Sequence, residues 1–247
     1  MISIKNLTKQ YGPLTAVNNL SLEVAPGEIF GFLGPNGAGK TTTIKIMAGI
    51  LAPTTGDVEL CGISIQREPS RAKALTGYIP DRPFLYDRLT GLEFLHFIAG
   101  LYGLQPKKIE GEIENRLNLF DLWDWRNELI ESYSHGMKQR LIIISALIHH
   151  PRVLIIDEPM VGLDPKGVRI VKRLLKKESA GGTTIFLSTH TLSTAQEICN
   201  RLGIIQKGVL IAEGSMESFA QEAHWKAQGL ESLFLKLTGD LEEDGLD

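Results

Sequence analysis

One stretch constrains this 247-residue chain more than any other: Gly34-Pro35-Asn36-Gly37-Ala38-Gly39-Lys40-Thr41. It matches the pattern G-x-x-x-x-G-K-S/T at every constrained position. An apolar run over 29–33 predicts a buried strand before it, and residues 41–48 predict a helix after it. Glycines let successive backbone N–H groups point at an anion, and the helix N-terminus adds partial positive charge. The sequence therefore predicts a nucleoside triphosphate site, with Lys40 on the phosphates and the Thr41 hydroxyl as a Mg²⁺ ligand.

Length and charge limit what else the chain can be. It fits one large domain or two closely joined ones, and its net charge of −3 gives no electrostatic case for nucleic acid. Residues 215–247 hold eight acidic and two basic side chains, which leaves the rest of the chain at +3. The most apolar run, 141–148, is far shorter than the roughly 20 residues of a membrane span. With two distant cysteines that form no C-x-x-C, we expect a cytoplasmic protein that reaches the membrane only through a partner.

Strand patterns occur at both ends of the chain and predict an α/β fold. Segments 2–4 and 20–24 alternate apolar with polar residues, and 57–62 is expected to be another edge strand. Continuous apolar runs at 153–156 and 184–187 are typical of parallel strands covered on both faces. The apolar residues on either side of Lys207-Gly208 predict a hairpin.

The middle of the chain, about 82–150, reads as mostly helical. Apolar side chains recur there at helical spacing. Trp123 and Trp125 have two interpretations, either packing within this helical unit or forming a protein contact surface, because Trp is enriched at binding hot spots. The recurring positions are Leu92, Leu95, His96 and Ala99, and then Ile113, Leu117 and Phe120.

Two carboxylates follow the apolar run at 153–156. Ligands of open parallel sheets gather beyond the carboxyl ends of the strands, so Asp157 is expected near the phosphate loop, holding Mg²⁺. Glu158 would lie one residue further on, where a carboxylate can polarise an attacking water. A surface Asp-Glu pair would be the ordinary alternative without a phosphate loop in the same chain. Together the two motifs favour hydrolysis.

A third motif, Ser134-His135-Gly136-Met137, opens a long apolar helix. A serine N-cap followed by a glycine makes a second anion site. One chain does not need two such sites for one nucleotide, which suggests that two chains share the ligand.

These motifs, in this order, resemble the nucleotide-binding subunit of an ABC (ATP-binding cassette) transporter over residues 2–213. The resemblance implies a P-loop NTPase fold, with a RecA-like, mostly parallel sheet, an antiparallel β subdomain and an inserted helical subdomain at about 82–150. Residues 214–247 would form a short acidic helical extension. Gly162-Leu163-Asp164 matches the loop that crosses between subunits, although Asp164 before Pro165 also fits a helix N-cap.

The same resemblance implies a role for each site residue. Catalysis falls to Lys40, Glu158 and His190, and Mg²⁺ to Thr41, Asp157 and Asp81. The residues expected to bind ATP share positions in or beside the loop motifs, with the Tyr11 ring stacked on adenine: Tyr11, Val17, Gly34, Pro35, Asn36, Gly37, Ala38, Gly39, Lys40, Thr41, Thr42, Ser134, Gly136 and Met137.

Two positions depart from the family's usual pattern. Asp81 stands where glutamine is common, and His135-Gly136-Met137 replaces the usual Gly-Gly-Gln. Both changes, and the tail segment 230–239, resemble a branch of small two-component exporters of drugs, antibiotics or sodium. His135 is either a pH-sensitive group or a plain exposed histidine.

The sequence thus predicts an ATP-hydrolysing subunit that drives export through a separate integral membrane permease. It would work as a homodimer, or as a heterodimer with a related cassette, with ATP between Lys40 of one chain and Ser134 of the other. Residues 82–86 are expected to receive the permease. The alternatives are a soluble ABC ATPase of translation or DNA repair, and a regulatory cassette that does not hydrolyse ATP.

Overall fold

The computed structural model describes residues 1–221 and Phe234. It places two β-sheets and the helices between and around them. In chain order the elements are β1 (Ile2–Tyr11), β2 (Leu14–Val24), β3 (Ile29–Leu33), α1 (Lys40–Met47), β4 (Thr55–Leu60), β5 (Ile63–Ser64), α2 (Pro69–Ala74), β6 (Thr76–Ile79), α3 (Gly91–Leu101), α4 (Pro106–Leu119), two 3₁₀ turns (Trp123–Trp125 and Ile130–Ser132), α5 (His135–Leu147), β7 (Val153–Asp157), α6 (Pro165–Ala180), β8 (Thr184–Ser188), α7 (Leu192–Ile198), β9 (Arg201–Gln206), β10 (Val209–Ser215) and α8 (Met216–Gln221).

The smaller sheet is antiparallel and has the order β2-β1-β4-β5. The predicted alternation holds at 20–24, where every second side chain is buried. The prediction of an edge strand at 57–62 is wrong, because β4 lies between β1 and β5. Cys61 and Gly62 both have positive φ (53° and 78°) and form the two-residue turn that adds the short β5 at the edge.

The larger sheet has the order β10-β9-β3-β8-β7-β6, with every neighbouring pair parallel except β9 and β10. This confirms the prediction of parallel strands at 153–156 and 184–187. The β9–β10 hairpin also forms as predicted. Lys207 and Gly208 have φ values of 48° and 81°, and two successive positive φ angles match the right-handed twist of a hairpin.

Successive side chains of the parallel strands enter two different hydrophobic clusters, because strand side chains alternate between faces. Phe30 and Phe32 point to the cluster that contains α1 and the antiparallel sheet. Ile29 and Leu33 point to the cluster built with α3, α4, α5 and α6. Helix α1 is therefore held between the two sheets, and this fixes the phosphate loop at its start.

The helical zone forms, although residues 82–90 precede α3 and are not helical. The predicted positions Leu95, Ala99, Ile113, Leu117 and Phe120 are all buried, whereas Leu92 and His96 are only half-buried. Of the two tryptophans, Trp123 packs against the core under the Arg126 guanidinium, as the packing interpretation requires. Trp125 is 45% exposed, so the contact-surface interpretation stays open for it alone.

The predicted extension at 214–247 falls mostly outside the described residues. Of these residues the structure describes 214–221 and Phe234, and β10 continues to Ser215, across the expected boundary. The domain division therefore stays a prediction. In the part of the chain that the structure describes, no helix combines the length and the apolar character that crossing a membrane requires.

Candidate functional site

A cavity of about 470 Å³ lies at the carboxyl ends of β3 and β7. Parallel neighbours end at the same edge of a sheet, so the segments that follow these strands meet there. The cavity brings together predicted residues from five separate parts of the chain. Its lining residues are Tyr11, Leu14, Ala16, Asn36, Gly37, Ala38, Gly39, Lys40, Thr41, Thr42, Asp81, Asp157, Glu158, Val161 and His190.

Glycines give the phosphate loop a path that other residues would block. A Cβ on Gly34 would lie 2.3 Å from the Ile205 carbonyl oxygen, and one on Gly39 would lie 2.4 Å from the Ala16 carbonyl oxygen. Gly39 also has a φ of 109°, which turns the chain into α1 at Lys40. The loop therefore passes close to neighbouring backbone and presents its N–H groups and the start of α1 to the cavity.

Lys40 is a buried cation, only 8% exposed. Its Nζ donates to the carbonyl oxygens of Gly34 (2.5 Å) and Pro35 (3.0 Å) in its own loop. Burial lowers the pKa of Lys40, while the carboxylates of Glu158 and Asp157 act to raise it. A desolvated ammonium beside the loop is suited to phosphate oxygens, which supply more negative charge than carbonyl groups do.

Asp157, the last residue of β7, is 2% exposed. The parallel register places it opposite Ser188, whose Oγ donates to Asp157 Oδ1 at 2.7 Å. On β6 next to it, the pKa of Tyr78 is raised to about 12 by burial and then by the charges of Asp157 and Asp81. The phenol therefore stays neutral, and the carboxylate is held in one orientation at the edge of the cavity.

Glu158 stands in the left-handed region of backbone space, with a φ of 50°, which few residues other than glycine adopt. Its Oε1 accepts from the His190 backbone N–H and contacts His190 Nδ1, both at 2.8 Å, and its Oε2 accepts from Thr189 Oγ1 at 3.2 Å. The His190 side chain is 63% exposed. The end of β8 thus fixes a carboxylate next to a histidine that faces the open side of the cavity.

Three other predicted residues, Tyr11, Asp81 and Val17, differ in their exposure and in whether they line the cavity. Tyr11 lies at the rim of the cavity and is 46% exposed, and Lys9 Nζ is 5.2 Å from the centroid of its ring. Asp81 is exposed and also lines the cavity. Val17 is fully buried behind Gly39 and does not line the cavity, so its part in ATP binding stays a prediction.

Ser134, Gly136 and Met137 do not line this chain's own cavity. Ser134 is the predicted N-cap of α5, since its Oγ accepts from the Met137 N–H at 3.3 Å. This segment instead packs against the loop over 162–164. A Cβ on Gly136 would lie 2.9 Å from the Gly162 carbonyl oxygen, which leaves no room for a larger residue without movement.

Asp164 caps α6, as one of its two interpretations predicted. Its Oδ1 accepts from the Gly167 N–H at 3.1 Å and from Arg140 Nη2 at 2.5 Å. These contacts keep the pKa of Asp164 below its usual value, the Gly167 bond having the largest effect. Arg140 lies on α5, so one ion pair ties the helix after Ser134 to the loop before α6. His135 is exposed next to Gly162.

Three supporting residues were missed from the sequence: Ser188, Thr189 and Lys9. Ser188 and Thr189 directly precede His190, and the available signal is a hydroxyl at the end of a buried strand that pairs with a strand ending in a carboxylate. No local signal marks Lys9, because its position under Tyr11 depends on Nζ donating to the Ala52 carbonyl oxygen at 2.8 Å, far along the chain.

Known proteins resemble this chain in sequence and in fold. The sequence pattern of the family described as ABC transporter matches residues 17–161. The Nod factor export ATP-binding protein I of Paraburkholderia xenovorans is 39% identical over 214 residues, which cover 87% of this chain and 70% of the relative. A solved ATP-binding subunit of an ABC transporter superposes with a TM-score of 0.91 at 32% identity, covering 96% of this chain and 99% of the other. A dimeric bacterial ABC transporter cassette superposes with a TM-score of 0.79 at 26% identity, covering 87% and 99%.

The family pattern extends from the segment before the phosphate loop to the residues after Glu158, and the fold agrees over almost the whole chain. The mostly parallel sheet, the antiparallel sheet and the helical zone are those of a P-loop NTPase. The chain belongs to the ABC transporter family, as an ATP-binding subunit that hydrolyses ATP.

Proposed function

We propose that this ATPase subunit drives export through a separate membrane permease, and that two cassettes share each ATP. The observation that carries the proposal is that the predicted ATP-binding residues lie in two separate places on one chain. The phosphate loop, both carboxylates and His190 line one cavity, whereas Ser134 and Gly136 lie elsewhere in the same chain. A second chain placed head to tail would supply them, and the similarity to a dimeric ABC transporter cassette supports this arrangement.

The residues of the cavity fit Mg²⁺ together with a nucleotide, rather than Mg²⁺ alone. In the described ranges, 1–221 and 234, there is no group of three or more His, Cys, Asp or Glu side chains able to hold a metal. Mg²⁺ in nucleotide sites is typically bound through one or two carboxylates and the phosphates themselves. Thr41, Asp157 and Asp81 would supply the protein's share. When bound, Mg²⁺ neutralises charge that develops on the phosphate oxygens.

Glu158 and His190 would carry out the hydrolytic step. Glu158 Oε1 would accept a hydrogen bond from the attacking water and polarise it, while Thr189 and the His190 backbone hold the carboxylate in place. The exposed His190 imidazole would contact the γ-phosphate. Lys40 would exchange the carbonyl oxygens of its own loop for phosphate oxygens, and the Tyr11 ring would stack on adenine.

An exposed aromatic surface supports a membrane partner. Phe84 is 81% exposed, and it contacts the half-exposed Tyr86, whose ring meets Phe97 with centroids 5.5 Å apart. Apolar rings clustered on a surface are typical of protein contact sites. We propose that this cluster, which begins in the segment predicted to receive the permease, is the docking surface.

Two observations favour export. The motifs around Asp81 and His135 resemble the exporter branch, and a relative covering most of this chain is named for Nod factor export. The protein would then work at the cytoplasmic face of the membrane. The substrate path would lie in the permease, so the substrate is to be read from the partner's sequence.

Phe84→Asp tests the docking surface. A charge placed at the centre of an apolar contact should reduce copurification of the permease from detergent-solubilised membranes by roughly tenfold or more, which corresponds to a hot-spot loss of about 1.4 kcal/mol or more. The ATPase activity of the isolated subunit should stay unchanged. Ile50→Asp is the control, because Ile50 is also exposed (59%) and lies outside the cluster. Equal recovery of the partner with both variants would contradict the proposed surface.

A pull-down with Glu158→Gln in ATP and Mg²⁺ tests the function itself. A multi-span membrane protein among the captured proteins is the expected result. Capture of ribosomal or DNA-repair proteins instead would favour the soluble ABC ATPase and overturn the export proposal.

A further inference from the structure

A basic groove lies away from the nucleotide cavity, along α6 and between the ends of α4 and α7. It has a volume of about 650 Å³. Five of its lining residues are cationic and one is anionic. We call these residues the α6 groove: Leu119, Lys166, Arg169, Ile170, Lys172, Arg173, Lys176 and Glu197.

Part of this charge is already compensated within the chain. Lys172 Nζ pairs with Glu197 at 2.5 Å, and Lys166 Nζ pairs with Asp121 at 2.5 Å. Arg169, Arg173 and Lys176 form no ion pair with any described residue. They recur at i, i+4 and i+7, so the three cations project from one face of α6, where like charges repel.

The α6 groove also has an apolar floor. Leu119, at the end of α4, is 45% exposed, and Ile170 reaches the groove from the buried face of α6. A single phosphate or other small anion would leave this floor in water. The chemistry that fits is a segment that alternates carboxylates with aliphatic side chains.

We propose that the segment 240–247 of the same chain occupies the α6 groove. Its sequence, Asp-Leu-Glu-Glu-Asp-Gly-Leu-Asp, contains five carboxylates and two leucines in eight residues. The carboxylates match Arg169, Arg173 and Lys176, and the leucines match the floor. The proposal thus places the most acidic segment of the chain against the largest group of unpaired cations on one described helix.

The described residue that comes last before this segment in the chain is Phe234. Phe234 packs, partly buried, against the larger hydrophobic cluster, to which α6 and α7 contribute Ile170, Leu174 and Ile198. Six further residues lead to Asp240, and six extended residues span about 20 Å. A tether of this length gives the acidic segment an effective concentration of about 1 mM or more at a nearby surface.

Occupation of the groove would join two helices that begin at the site. α6 starts directly after Asp164, and α7 starts two residues after His190. The acidic segment would lie across both, because Glu197 of α7 and the cations of α6 line the same groove. The inference concerns contacts within one chain and does not rest on the proposed export function.

Disulfide trapping in the full-length chain tests the inference. In a background of Cys61→Ser and Cys199→Ala, the pair Arg173→Cys and Glu243→Cys should form an intramolecular disulfide under mild oxidation. The matched control keeps Glu243→Cys and combines it with Arg71→Cys, since Arg71 is also an exposed basic residue on a helix. We expect cross-linking at 173 to be roughly tenfold faster than at 71, as tethered docking requires. Equal rates, or disulfide-linked dimers only, would overturn the proposal.

Charge reversal distinguishes cross-linking that follows docking of the segment 240–247 from cross-linking by random collision. Arg169→Glu with Lys176→Glu should slow cross-linking at 173, and adding Glu242→Lys with Asp244→Lys should restore it. In 1 M salt the Debye length falls to about 3 Å, so the rate at 173 should also fall towards that at 71. Because all the changed groove residues are exposed, unchanged thermal unfolding shows that the fold is intact. A rate at 173 that responds neither to charge reversal nor to salt would contradict the docking.

Discussion

The site depends, residue by residue, on groups that hold its two carboxylates in place. Asp157 is buried with Ser188 Oγ as its hydrogen-bond donor, and Glu158 is held by the end of β8. A carboxylate that is buried must be paired or hydrogen-bonded, because desolvating an ionised group is costly. The hydroxyls at the end of β8 therefore position both carboxylates, although they need not touch the ligand.

Ser188→Ala should weaken Mg²⁺ use and stability together. Removing a hydrogen bond to a buried charged group costs about 1.5–3 kcal/mol, and Asp157 loses its fixed orientation. We expect the Mg²⁺ concentration for half-maximal ATPase activity to rise severalfold. Ser145→Ala is the matched control, since Ser145 is also buried but donates to the Ile142 carbonyl oxygen of its own helix. Identical Mg²⁺ titrations of the two variants would contradict the role of Ser188.

Asp81→Gln should reduce the steepness of the Mg²⁺ dependence. Asp81 lines the same cavity as Asp157, and a carboxylate oxygen is a harder ligand than an amide oxygen. The wild-type protein should respond more steeply to added Mg²⁺ than the variant does. Equal titrations of both proteins would remove Asp81 from the metal site.

Most of the site could be predicted because it depends on local patterns. The phosphate loop, the Asp157-Glu158 pair and His190 each follow a strand whose apolar run is visible in the sequence. The burial of Val17 behind Gly39 could not be predicted, because it depends on how the two sheets close around α1. The contacts of Ser188 and Lys9 depend on strand register and on packing between distant segments.

At the scale of elements, strand and helix types were predictable, whereas neighbours were not. Apolar runs and turn residues identified β3, β7, β8 and the β9–β10 hairpin. The edge of the antiparallel sheet was missed because β5 has only two residues, too few for any alternation. Packing also brings α3, α5 and β6 into contact, and no single segment of the sequence shows this contact.

The His149 ring joins these three elements. It stacks on Tyr102 with centroids 3.6 Å apart, and its Nε2 lies 3.2 Å from the Thr76 carbonyl oxygen. Burial, and to a smaller extent the charge of His150, lower the pKa of His149 to about 4, against the opposing effect of the Thr76 hydrogen bond. In the native state the imidazole is therefore neutral at pH 5, whereas in the unfolded chain it is mostly protonated.

The protein should accordingly lose stability as the pH falls from 6.5 to 4. In this range the unfolded state binds a proton that the folded state does not, so acid favours unfolding, and the loss ends below pH 4. His149→Phe keeps a stacked ring and should flatten this part of the pH dependence, as measured by urea unfolding at several pH values. The exposed His135, replaced by Gln, is the control. An unchanged slope in His149→Phe would contradict the assignment.

At the scale of the whole molecule, the fold separates groups that the chemistry needs together. α1 lies between the two sheets and fixes the phosphate loop on one side of the cavity. The start of α5 packs on the loop at 162–164 instead, through Gly136 and the Arg140–Asp164 pair. In the proposed dimer, these two separated groups of residues would form a complete site only when two chains meet. The sequence predicts that two chains share the ligand. The sequence pattern of one chain does not show how the second chain is placed.

Trapping the ATP-bound dimer tests this account most directly. Glu158→Gln should bind ATP with Mg²⁺ and hydrolyse it about 10²–10⁴-fold more slowly, since it lacks the group that polarises water. On a sizing column with ATP it should run as a dimer, and adding Ser134→Arg should return it to a monomer that still binds ATP. A monomer of Glu158→Gln at saturating ATP, or a dimer indifferent to Ser134→Arg, would contradict the shared site.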